Sequence, residues 1–188
     1  MIQYIYMFQF NQDDSQIIDG IVAAYVYVQN TIQDDKKKIY VFEANKDVDL
    51  KMMIQDMMSE TLSNIQAYVS YPILFEDMTT HMTTMQTLIS HITLQGKALI
   101  TDHDIVDGYH HHIKPMLRSF IFKKYAHESY MLDTIKTYLD HNQNMSQASK
   151  ELFIHRNTLM MRLDKFHEVT GFDVKKFYDA YLIYGLLR

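Results

Sequence analysis

Near the end of the chain, four consecutive side chains, His155-Arg156-Asn157-Thr158, all carry hydrogen-bonding groups. Their types suit recognition rather than bond-making. Arginine can donate two parallel hydrogen bonds to guanine, and asparagine can bond adenine at two points, the pairings by which side chains read base edges in the major groove of double-stranded DNA. Arg162 lies further along, on a face compatible with a phosphate or a base. Lys165 and Lys150 have the charge for phosphate contacts. Ser146 and Gln147 stand where a helix start would offer backbone N–H groups to a phosphate. Plainer roles compete with these. Asn157 and Thr158 can satisfy the open donors of a first helical turn, and for Thr158 that role is the favoured one. Arg162 can form a salt bridge with Glu151 or Asp164.

Such side chains need a support that presents them together. Ser146 can cap a short helix whose inner side is Ala148 and Leu152. Ala148 is small, so a second helix can approach closely. Phe153-Ile154 makes a turn, with Ile154 plugging the core, and His155 stands at the cap of the next helix. That helix buries Leu159, Leu163 and Phe166 at i, i+4 and i+7. Small residue, short turn, apolar plug and second amphipathic helix together predict a helix-turn-helix centred on Asn144–Phe166, with the start of its second helix in the major groove.

The run Ser146-Gln-Ala-Ser-Lys-Glu-Leu-Phe-Ile-His-Arg-Asn-Thr-Leu-Met-Met-Arg-Leu163, followed by Gly171-Phe-Asp173, resembles the C-terminal helix-turn-helix of the PucR/CdaR class of bacterial regulators. Its core is His-Arg-Asn-Thr-Leu-x-x-Arg-Leu, and Leu132–Asn144 is similar to the leading helix of the same domain. More distantly, the segment is similar to the Fis-type helix-turn-helix. The resemblance covers about Tyr130–Leu187 and implies a transcriptional regulator that binds DNA. It also implies a preceding α/β domain akin to a diguanylate cyclase, usually without catalytic residues.

Composition bounds the rest. Of 188 residues, 47% are apolar, enough for a substantial core. Five glycines and two prolines are too few for a turn-rich all-β fold, and with no cysteine there are neither disulfides nor thiolate zinc sites. The net charge of −5 conceals an asymmetry: residues 1–112 hold 6 Lys/Arg against 15 Asp/Glu, and residues 113–188 hold 12 against 8. The C-terminal part can therefore face phosphates while the acidic part faces away. The longest apolar stretch, Gly20–Val28, is too short for a bilayer, and the first residues lack a basic leader. A soluble cytoplasmic protein without membrane contact is expected.

The first half alternates between element types. Strands are expected at Ile2–Phe10, Lys38–Ala44, Ile65–Leu74 and Lys97–Thr101. Helices are expected at Asp49–Asn64 and Phe75–Thr93. Asp34–Lys38 reads as a charged turn. Gln16–Ile32 reads two ways: its apolar residues recur at helical spacing, with Asp14 or Ser15 as cap, yet Ala24–Gln29 also fits a strand. From about Asp104 strands stop, and helices follow at Tyr109–Tyr125, Glu128–Asn142, Ser146–Leu152, Arg156–Thr170 and Lys175–Leu187. The expected fold is α+β: a small N-terminal α/β sandwich, ferredoxin- or cyclase-like and degenerate, then an all-α helix-turn-helix domain. The expected boundaries are residues 1–104 (regulatory or dimerisation), 105–127 (connecting helix) and 128–188 (DNA-binding).

Asp102-His-Asp-Ile-Val-Asp-Gly-Tyr-His-His-His112 has metal-ligand chemistry. Neighbouring histidines on a helix diverge, so a solvated helix start is preferred and no metal is assigned. The methionines Met52, Met53, Met57, Met58, Met78, Met82 and Met85 read as core, with a dimer surface as a further use. Residues 1–102 lack the Gly-Gly-Asp/Glu-Glu-Phe loop of a cyclase, and no phosphate loop or nucleophile elbow occurs, so neither catalysis nor a cofactor is expected. The favoured reading is a DNA-binding homodimer responsive to an unidentified small-molecule effector. The alternative is a protein-interaction or ligand-sensing module that retains the helix-turn-helix as packing.

Overall fold

The structure is a computed structural model and describes residues 1–34, 37–92, 96–108 and 114–188. The chain divides into two compact units: residues 1–82 with 91–105, and residues 83–90 with 106–188.

The first unit opens with β1 (Ile2–Gln9), α1 (Ser15–Tyr25), β2 (Val28–Gln33), β3 (Lys38–Glu43), α2 (Leu50–Thr61) and β4 (Gln66–Val69). These strands lie in the order β2-β3-β1-β4, each antiparallel to its neighbours. That is the split β-α-β-β-α-β arrangement of ferredoxin-like folds. A short β5 (Leu99–Ile100) adds in parallel beside β4. One face of the sheet presents Ile5, Met7, Tyr40, Phe42, Ala67 and Val69. Ile18 and Val22 of α1 and Met53, Ile54 and Met57 of α2 complete that core. The alternation of strand residues and the helical spacing of these apolar ones meet on a single layer boundary.

Local chemistry sets the element ends. Asp49 caps α2 by accepting the Met52 N–H at 2.9 Å. Asp104 ties down the start of α4 (Asp102–Gly108): its carboxylate accepts both the N–H and the hydroxyl of Thr101 at 2.8 Å, the carboxylate half of a capping box. Burial works to raise the Asp104 pKa, but hydrogen bonds from Lys97 and Thr101 outweigh it and hold the carboxyl below its ordinary range.

Several expectations are corrected. Gln16–Ile32 is not one element. Its first part is α1, and Val26 is already extended at the helix end. Val28 and Ile32 fit either periodicity; the decision comes from β3, with which β2 forms a hairpin pairing Ile32 with Ile39 and Thr31 with Tyr40. Asp14 holds the cap position of α1 without a capping bond; its carboxylate accepts the Ser63 hydroxyl at 2.7 Å. Lys38, shared between the expected turn and the expected strand, belongs to the strand: it begins β3 with its side chain 2% exposed, its ammonium 2.7 Å from Asp19 and 2.5 Å from the Ser15 hydroxyl. The strand expected over Ile65–Leu74 is ordered as β4 only to Val69, with Ile73 returning to bridge Ile2. The helix expected from Phe75 to Thr93 opens as a 3₁₀ turn and becomes α3 (Met78–Ile89); Thr93 lies outside the described residues. Of the helix expected at Tyr109–Tyr125, α5 covers Lys114–Phe122 and a 3₁₀ turn covers Lys123–His127; residues 109–113 lie outside the description.

The second unit continues with α6 (Ser129–Asp140), α7 (Met145–Glu151), α8 (Arg156–Thr170) and α9 (Phe177–Leu187). Each of the longer helices buries one stripe: Met131, Thr134, Ile135 and Tyr138 on α6, and Leu159, Leu163, Phe166 and Thr170 on α8. Phe166 is fully buried, with its ring 6.1 Å from those of Phe122 and Tyr125.

Candidate nucleic-acid interface

The helix pair that carries the residues expected to contact DNA is built by caps. Asn144 is the N-cap of α7, and its side-chain oxygen accepts the N–H groups of Ser146 and Gln147, each at 3.1 Å. The cap is thus Asn144 rather than Ser146. The two donors that the sequence offered to a phosphate are already bonded, so Ser146 and Gln147 reach outward only through exposed side chains. Ala148 is fully buried as expected, whereas Leu152 and Ile154 are half-buried.

The end of α7 is a Schellman turn. The Phe153 N–H donates to the Lys150 carbonyl at 3.2 Å, and the Ile154 N–H donates to the Ser149 carbonyl at 3.0 Å. Phe153 takes φ 52°, the left-handed position where glycine is usual, at a cost of roughly 1–2 kcal/mol for a residue with a Cβ. Its side chain is 95% exposed.

His155 caps α8. Its Nδ1 accepts the Asn157 N–H at 3.2 Å, which in the neutral ring leaves the proton on Nε2, pointing away from the helix backbone. Arg156, Asn157 and Thr158 follow in the first turn, all exposed. Because His155 serves the Asn157 donor, the side chains of Asn157 and Thr158 are not spent as caps. Among the described residues nothing hydrogen-bonds these three side chains. Lys150 and Lys165 are exposed as well. The nearby acids are occupied elsewhere: Glu151 pairs with His141 at 2.6 Å, and Asp164 pairs with Lys175 at 2.7 Å. The hydrogen bond to Asp164 holds the Lys175 ammonium above its ordinary pKa.

Arg162 stands apart from this group. It is half-buried, donates to the Thr134 hydroxyl at 2.9 Å, and lies over the Tyr130 ring at 5.5 Å. The Thr134 hydroxyl in turn donates to the Tyr130 carbonyl at 2.7 Å. Arg162 therefore ties α8 to α6, with neither Glu151 nor Asp164 as partner. Arg162→Ala is expected to destabilise the second unit by about 2 kcal/mol through loss of a charged hydrogen bond and a ring contact. Urea denaturation of the single and double variants with Thr134→Val checks this; additive effects would show that the two side chains are not coupled.

The acidic and histidine-rich stretch that begins at Asp102 is engaged differently. Asp102 is buried and accepts the Tyr68 hydroxyl. The Tyr4 hydroxyl meets His81 Nδ1 at 2.9 Å. Burial pushes the pKa of both tyrosines well up. Asp104 is the capping residue already described. His110, His111 and His112 lie outside the described residues.

Comparison with known proteins bears on the second unit. Residues 131–188 match the PucR C-terminal helix-turn-helix domain. The chain is 40% identical over 60 residues to the uncharacterized protein YxkF of Bacillus subtilis, which is 32% of this chain and 20% of that protein. It is 44% identical over 55 residues to the carbohydrate diacid regulator of Escherichia coli, covering 29% and 14% respectively. It is 34% identical over 58 residues to the DNA-binding transcriptional activator AdeR of Bacillus subtilis, covering 31% and 14%. The matched segment thus spans a fifth or less of each relative's length. The capped helix pair at Asn144–Phe166, its exposed His-Arg-Asn-Thr run and these matches identify residues 131–188 as a helix-turn-helix domain of the PucR C-terminal kind.

Proposed function

We propose that the protein is a sequence-specific DNA-binding transcriptional regulator that reads the major groove with the first turn of α8. The observation that carries this reading is the side-by-side exposure of Arg156, Asn157 and Thr158, without internal partners, at the start of a helix capped by His155. Arg156 and Asn157 supply base contacts, with His155 Nε2 and the Thr158 hydroxyl beside them. Lys150, Lys165, Ser146 and Gln147 supply phosphate contacts, and Arg162 holds α8 in place with its remaining guanidinium donors at the edge of the surface. The relatives named as regulators, and AdeR as a DNA-binding one, support the same reading.

The protein acts in the cytoplasm as a homodimer, because one helix-turn-helix reads a half-site and a two-fold partner reads the other. The ferredoxin-like unit serves dimerisation or regulation, with an effector of unidentified chemistry, and has no enzymatic role. The test is a fluorescence-anisotropy titration of the full chain against duplexes enriched from a random-sequence pool. Affinity should fall steeply with salt, the log–log slope steepening by about 0.9 for each phosphate neutralised. A pool without enrichment, together with salt-insensitive binding, would leave the helix-turn-helix as a packing element.

A further inference from the structure

Phe153 has two properties that do not serve the isolated fold. Its ring is 95% exposed, so it stabilises no core, and its φ of 52° would suit glycine better. It is also placed among the reading groups, two residues before the α8 cap His155. Exposed Lys150 and Arg156 stand three residues to either side, and neither has an acid partner among the described residues. An apolar ring flanked along the chain by two unpaired cations fits a polyanion that also offers an apolar group. Leu62 at the end of α2 shares the left-handed backbone and is 91% exposed, but its neighbours Glu60, Thr61, Ser63 and Asn64 include no cation.

We propose that Phe153 is a specificity residue whose ring packs on a thymine methyl group at the edge of the half-site. The inference rests on the DNA-reading function proposed above. In the major groove the thymine C5-methyl is the apolar feature of the base edges, and it distinguishes thymine from the other bases by contact rather than by hydrogen bonding. Burying one methyl is worth about fourfold in affinity. The Schellman turn fixes the backbone on both sides of the ring, so the contact has a defined position relative to Arg156.

The experiment uses duplexes enriched from a random-sequence pool by the full chain, with each thymine replaced in turn by uracil, which removes the methyl alone. The native protein should lose about fourfold at one thymine per half-site. Phe153→Gly and Phe153→Asn, both tolerant of the left-handed backbone, should be insensitive to that replacement and should melt no lower than the native protein. Enriched duplexes without a methyl-sensitive thymine, or equal sensitivity in both variants, would overturn the inference while leaving the DNA reading intact. A lower melting temperature in both variants would assign the ring to the fold instead. A shift in sedimentation of the DNA-free protein, with thymine sensitivity unchanged, would assign it to a second copy of the chain. Absence of any enriched duplex would remove the DNA reading and the inference together.

Discussion

Arg156→Ala is expected to weaken binding to enriched duplexes by about 1–3 kcal/mol, roughly five- to 150-fold, and to relax selectivity at one base position. The reason is the contrast between this arginine and Arg162. Arg162 spends a donor on Thr134 and its face on Tyr130, whereas Arg156 is exposed in the first turn of α8 with nothing inside the protein to bond it. Its removal should leave stability within about 0.5 kcal/mol, as for other surface positions away from structural contacts. Competition titrations with single-base duplex variants measure affinity and selectivity together. Unchanged values for both would remove Arg156 from the reading surface. Lys165→Ala, by contrast, should weaken all duplexes alike and flatten the salt dependence.

The largest stability effect should come from Phe166→Ala, at about 3–5 kcal/mol. Phe166 is fully buried and packs against the rings of Phe122 and Tyr125, so its loss opens a cavity where α8 meets the segment ending α5. The surrounding helices are held by other contacts and can collapse only in part, and the cavity adds to the lost transfer energy. Denaturation followed in urea should show the transition of the second unit moved to much lower denaturant. Phe166→Leu should recover a large part of the loss, because most of the volume returns. A cost below 1 kcal/mol for the alanine variant would mean that this aromatic cluster does not anchor α8.

What the sequence disclosed follows from how local each determinant is. The second helix of the pair was legible because Leu159, Leu163 and Phe166 repeat at helical spacing and a short turn with an apolar plug precedes them. The ferredoxin-like unit was legible as alternating elements. Its β2 was not, since Val28 and Ile32 satisfy a helix and a strand alike and only pairing with β3 decides between them. Asn144 as cap was within reach of sequence reasoning, because asparagine is as good a cap as serine and stands directly before the helix. The partner of Arg162 was not, because Thr134 lies 28 residues away and is brought near by packing of α6 on α8. Lys38 was legible as the first residue of a strand, but its burial was not, because Asp19 and Ser15 reach it only through packing of α1.

The cap at Asn144 has a bearing on how such a domain would search. With the Ser146 and Gln147 N–H groups already bonded, α7 brings no rigid backbone cradle for a phosphate. If α8 reads DNA as proposed above, the attraction to the duplex falls mainly to lysines on long, mobile stems. Such stems can pass from one phosphate to the next without a single preferred register. The protein would slide along unrelated sequence with a smooth energy profile, and stopping would be left to the short group of side chains at the head of α8.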